Sequence, residues 1–191
     1  ERMYIVEDFG ARGQGHTDCT VAIQYAIDRC NQDGGGTVVL TQGTYVAGTV
    51  RLKSNVELRV NAGATLKAID DHECYPDIPN TFTDGTSNTL HPERKGYALL
   101  YAFEATNVSI TGGGTIDVGG ERFQEKSKRP FLVRIMQSER VTISDVTLMQ
   151  SAAWCCHLQK SNHIRMSNVT VRASAVRNGD GIDIDSSTDV V

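Results

Sequence analysis

Three segments of this chain superimpose without gaps at their starts: Asn107-Val-Ser-Ile-Thr111, Arg140-Val-Thr-Ile-Ser144 and His163-Ile-Arg-Met-Ser167. The last two continue in step as Asp145-Val-Thr-Leu148 and Asn168-Val-Thr-Val171, and a further start stands at Asp189-Val-Val191. Successive starts lie 33, 23 and 26 residues apart. A repeat of that length means stacked units, because one unit cannot bury its apolar face alone. Within a unit the apolar residues alternate, Val141 with Ile143 and Val146 with Leu148, around one polar residue, Asp145 or Asn168. Asp and Asn tolerate the left-handed backbone of a tight corner, so each unit reads as two short strands joined by a bend. Stacking such coils places Val108, Ile110, Val141, Ile143, Ile164 and Met166 inward in one continuous column. The expected fold is all-β, a right-handed parallel β-helix.

The segments before the repeat fit that architecture. One helix is expected from about Thr20 to Cys30, capped by Thr17 or Asp18, with Ala22, Ile23, Ala26, Ile27 and Cys30 on one face. It runs into Asn31-Gln32-Asp33-Gly34-Gly35-Gly36, a strong stop. Such a helix would cover the open first coil, whose bare edge would otherwise invite aggregation. Short alternating runs follow at Thr37–Leu40, Thr49–Leu52, Val56–Val60 and Ala64–Lys67. From Asp70 to Gly96 the periodicity fails and Pro76, Pro79 and Pro92 accumulate, which reads as a long excursion from the stack. A charged loop, Gly119 to Pro130, reads as solvated surface or a substrate-contacting loop. Residues 1–191 are expected to form a single domain that breaks off just after starting another coil at Asp189.

Composition narrows the function classes. A formal charge of −4 offers no basic face for nucleic acid and no polybasic tract for a membrane. No apolar run is long enough to span a bilayer. The five cysteines, Cys19, Cys30, Cys74, Cys155 and Cys156, have no metal-ligand spacing and read as mostly buried thiols, without a disulfide framework. Nucleophile-elbow, phosphate-loop and zinc-protease signatures are absent, and the glycine triplets at 34–36 and 112–114 are turns.

What remains is acidic: Asn178-Gly179-Asp180-Gly181-Ile182-Asp183-Ile184-Asp185. With Ile182 and Ile184 facing the core, Asp183 and Asp185 face outward and Asp180 sits at the turn that begins the strand. Carboxylates on one coil face suit general acid or base work in glycoside cleavage. An exposed polar strand face, or a weak calcium site, fits the same spacing. In Trp154-Cys155-Cys156-His157-Leu158 the inward phase belongs to Cys156 and Leu158, so His157 points outward, and the coil spacing lays it over the acidic strand.

These residues together resemble glycoside hydrolase family 28, the polygalacturonases and related pectin hydrolases. The likeness runs through Asp8-Phe-Gly-Ala11, Gly15-His-Thr-Asp18, Gly34-Gly-Gly-Thr-Val-Val-Leu40, Gly43-Thr-Tyr45, Leu52-Lys-Ser-Asn55, Gly113-Gly-Thr-Ile-Asp117, Arg129-Pro130 and Trp154-Cys-Cys-His157 to Asn178-Gly-Asp-Gly-Ile-Asp183. The opening segments are common to pectin-lyase-like β-helices and specify fold. The Asn-x-Asp-Gly-Ile-Asp element is more specific, with Gly179 where the family often has Thr. The resemblance implies inverting hydrolysis of galacturonide linkages without metal or organic cofactor, on pectic polysaccharide or oligogalacturonide, by a secreted or periplasmic protein. It assigns water activation to Asp180; beside it, Asn178 and His157 are candidates for substrate or supporting contacts, and Asp183 for binding substrate or orienting the turn. The family's later elements, a pair of Asp residues one coil on, a Gly-His-Gly turn and an Arg-x-Lys motif, are not in this sequence, so the 191 residues alone are expected to be inactive. A calcium-dependent pectate lyase and a non-catalytic carbohydrate-binding or adhesion β-helix are the alternative classes.

Overall fold

The computed structural model describes residues 2–69, 98–119, 131–149, 156–172, 182–185 and 187–191, with only the backbone at 183 and 185. Coil by coil, the chain begins with β1 (Met3–Ile5), a 3-10 turn (Val6–Phe9), β2 (Gln14–Asp18) and α1 (Thr20–Gln32). It continues with β3 (Gly36–Leu40), β4 (Gly43–Ala47), β5 (Val50–Leu52), β6 (Val56–Val60) and β7 (Ala64–Ala68). Then come β8 (Ala98–Phe103), β9 (Thr106–Thr111), β10 (Thr115–Asp117) and β11 (Phe131–Met136). The last are β12 (Glu139–Met149), β13 (Cys156–Gln159), β14 (Asn162–Arg172), β15 (Ile182–Asp185) and β16 (Thr188–Val190).

Every pairing between these strands is parallel. One sheet of 11 strands wraps two sides of the stack, and a second sheet, in the order β15-β13-β11-β8-β5, forms another. The registers follow the sequence repeat: Val108 pairs with Val141 and Val141 with Ile164, Ile110 with Ile143 and Ile143 with Met166, and Ile164 with Val190. Val108, Ile110, Val141 and Ile143 are fully buried and Ile164 almost so. Met166 packs on the same core but is half-buried, because β16 lays only a short strand along β14.

The bend inside each unit lies where the polar residue stands. Asp145 and Asn168 have φ of 54° and 51°, while β12 and β14 continue through the corner. Two further left-handed corners per coil were not read from the sequence: Asn107, Arg140, His163 and Asp189 form one column, Glu104, Gln137 and Lys160 another. Gly112 occupies the Asp145 corner one coil earlier, with φ of 115°, and there a Cβ would strike the Val60 carbonyl. That approach requires glycine.

α1 closes the first coil as expected, burying Ile23, Ala26, Ile27 and Cys30 against the same core as Val38, Leu40, Val50 and Leu52, with Ala22 at its margin. Its N-cap is Cys19 rather than Thr17 or Asp18, but Asp18 still serves the end, since its carboxylate accepts from the Thr20 N–H at 2.9 Å. The helix runs two residues past Cys30, to Gln32. Cys19 and Cys30 are buried free thiols, and Cys156 lies in the core. No helix among the described residues is long and apolar enough to cross a membrane. The excursion from 70 to 96 and the charged loop from 120 to 130 lie outside the described residues.

Candidate functional site: a polar column on the second sheet

β13 and β15 meet in parallel, Cys156 opposite Ile182, His157 opposite Asp183, Leu158 opposite Ile184 and Gln159 opposite Asp185. The acidic strand therefore lies one coil beyond His157, as the spacing implied. Cys156 and Leu158 belong to the central core, and His157 takes the opposite face, in agreement with its phase. That face is not open here: His157 and Gln159 have no exposed surface. Asn178 and Asp180 fall outside the described residues, and of Asp183 only the backbone position is described.

The register extends the column backward. Arg51 pairs with Tyr101, Tyr101 with Arg134, and Arg134 with His157. Tyr101, Arg134, His157 and Asp183 follow one another at spacings of 33, 23 and 26, the spacings of the repeat itself. Arg134 is completely buried, in a strand whose every residue is buried. Its Nε donates to His157 Nδ1 at 3.1 Å, and its guanidinium lies over the Phe131 ring at 4.9 Å from the centroid. The imidazole stacks on the same ring, with centroids 5.1 Å apart and planes inclined by 23°. Removal from water, and secondarily the Arg134 charge, push the His157 pKa down to about 3 from an ordinary 6.5. Both effects favour the neutral ring. Further along, Arg51 stands 5.9 Å over the Tyr101 ring and donates to the Phe103 carbonyl at 3.1 Å. A cavity of about 280 Å³ opens there between Asn31, Arg51, Lys53, Ser54, Phe103 and Glu104.

Sequence reasoning reached His157 and the acidic strand but missed Arg134 and Phe131. The signal was present: Arg134 stands one repeat of 23 before His157. In sequence an arginine among apolar neighbours reads as a surface residue, whereas this one is enclosed.

Stacked parallel coils, a helix over the first and an outward polar column running into an acidic strand place the chain in the class of right-handed, pectin-lyase-like parallel β-helices. The sequence profile of Glycosyl hydrolases family 28 matches residues 48–191, and one described as Rhamnogalacturonase A/epimerase, pectate lyase-like, matches residues 4–77. The chain belongs to glycosyl hydrolases family 28. A relative named "Probable polygalacturonase" from Vitis vinifera is 32% identical over 95% of this chain. The exopolygalacturonase of Thermotoga maritima superposes with a TM-score of 0.77 at 26% identity over 100% of it. PfbA, a surface adhesin of Streptococcus pneumoniae, superposes with a TM-score of 0.67 at 27% identity over 92% of it. The chain spans 39% of the length of the Vitis relative, 53% of the Thermotoga chain and 39% of the PfbA chain.

Proposed function

We propose that the protein containing these coils is a polygalacturonase-like glycoside hydrolase that cleaves galacturonide linkages in pectic polysaccharide or oligogalacturonide with inversion. The observation that carries this reading is family membership across residues 48–191, which includes the acidic segment. In inverting hydrolysis a carboxylic acid protonates the leaving oxygen while a carboxylate on the other side of the bond activates water, the two roughly 6.5–9.5 Å apart. Asp180 takes the water-activating part. Asn178 and Asp183 contact the sugar or orient the turn, and His157 acts on the acidic strand from beneath. The acid comes from outside these 191 residues, and no metal enters. A polymeric substrate of this kind makes the protein secreted or periplasmic, with neither nucleic acid nor membrane as partner.

The test is the product formed from polygalacturonate by the gene product containing these residues, with calcium chelated. New reducing ends without ultraviolet absorbance are expected. A calcium-dependent unsaturated product would mean lyase chemistry, and tight binding without turnover would mean a binding or adhesion β-helix.

A further inference from the structure

We infer that Arg134 and His157 act as a positioning pair, Arg134 holding His157 as a neutral ring protonated at Nε2 and of constant charge beside the acidic strand. The argument begins with the hydrogen-bond inventory. A guanidinium has donors only, and a neutral imidazole has one donor and one acceptor nitrogen. Arg134 Nε donates to His157 Nδ1 at 3.1 Å, so Nδ1 carries the lone pair and the proton is on Nε2. An imidazolium would turn this bond into two N–H groups facing each other across two cations, away from water. The Phe131 ring holds both partners, stacking on the imidazole and lying under the guanidinium. Neither side chain has exposed surface, so their relative geometry is set by packing.

The place of the pair in the fold gives the tautomer its use. From β11 the charged group facing the imidazole is Arg134, and on β15 the register position opposite His157 belongs to Asp183. His157 thus stands between a cation of constant charge and the strand that follows Asp180. A ring that gained a proton as pH fell would set a second cation beside Arg134 and next to that strand, in the acidic range where carboxylate catalysis operates. Pinning its Nδ1 removes that dependence. The pair touches no substrate in this reading and works through the acidic strand. Only its effect on turnover rests on the hydrolase assignment above.

The tautomer is tested without activity, by long-range ¹H–¹⁵N correlation spectra of ¹⁵N-histidine-labelled residues 1–191, with His157 assigned by its loss in His157→Gln. The expected spectrum is that of a neutral, Nε2-protonated ring unchanged between pH 8 and pH 5. A ring protonated at Nδ1, or one titrating with a midpoint near 6.5, would overturn the proposal. The consequence is tested by turnover of polygalacturonate by the gene product. His157→Phe keeps the stacking on Phe131 but has no acceptor for the Arg134 Nε–H, and should lower kcat roughly tenfold to hundredfold, the cost of one hydrogen bond from a charged group. His157→Gln, which retains an acceptor for Arg134, should recover part of that loss. A His157→Phe enzyme with wild-type kcat and an unaltered pH profile would remove the positioning role, even with the tautomer as stated. A wild-type protein that turns over no pectic substrate would instead count against the hydrolase reading and leave the spectroscopic result to stand or fall alone.

Discussion

Two of the buried side chains that carry polar groups, His157 and Tyr45, are held by partners that the stack brings together, and their cost when disturbed can be stated. His157 is neutral in the fold but would be protonated in the unfolded chain below about pH 6.5, its ordinary value. The unfolded state then binds the extra proton, so the stability that comes from the depressed pKa is complete above about 6.5 and is lost as pH falls toward about 3. Urea unfolding of residues 1–191 at pH 7 and pH 4.5 should show a loss on the order of 2 kcal/mol that His157→Gln abolishes. Tyr45 is a second case, fully buried at the first coil. Its hydroxyl takes the N–H groups of Thr41 and Gln42 at 3.2 Å each and donates to Glu7. Tyr45→Phe removes the acceptor of two part-buried N–H groups and the donor to Glu7, and should cost about 1 kcal/mol in the same measurement.

At the level of elements, the coils are tied along the stack as well as across the core. Ser138 Oγ accepts from the Ala105 N–H at 3.2 Å, Ser161 Oγ from the Ser138 N–H at 3.1 Å and Ser187 Oγ from the Ser161 N–H at 3.2 Å. Each link satisfies a backbone donor where the chain leaves the second sheet. The inward column contributes more. Burying an aliphatic side chain is worth roughly 1.5–3 kcal/mol, and a carboxylate in its place has no partner. Ile143→Asp should therefore prevent folding, seen as loss of the β-sheet circular dichroism signal, whereas Ser161→Ala should stay folded and lose about 1 kcal/mol. The offsets in the sequence were the legible part at this level, because identical spacing in a stack becomes register. β8 and β11 leave no such trace because nearly all their residues are buried, and a strand covered on both faces has no period of two to read. β1, β2 and β10 are too short or too polar to announce themselves. The outward phase of His157 was legible, but its enclosure was not, since alternation tells which way a side chain points and not what lies over it.

For the whole molecule, the chain spans 39% of the length of the Vitis relative. Asp183 and Asp185 lie on one strand and Asp180 precedes that strand by two residues in the sequence, whereas inverting cleavage needs an acid and a base on opposite sides of the bond. The net charge of −4 adds no general attraction for a polyanion. Residues 1–191 alone should accordingly fold into stacked coils yet release no reducing ends from polygalacturonate. The most direct test of the central claim is the rate at which the gene product containing this chain releases reducing ends, measured for wild type and for Asp180→Asn at saturating polygalacturonate. A base that activates water acts chiefly in the transition state, so the variant should be slower by roughly 10²-fold or more with KM little changed. Wild-type turnover in Asp180→Asn would contradict the account and move the search for the base to Asp183.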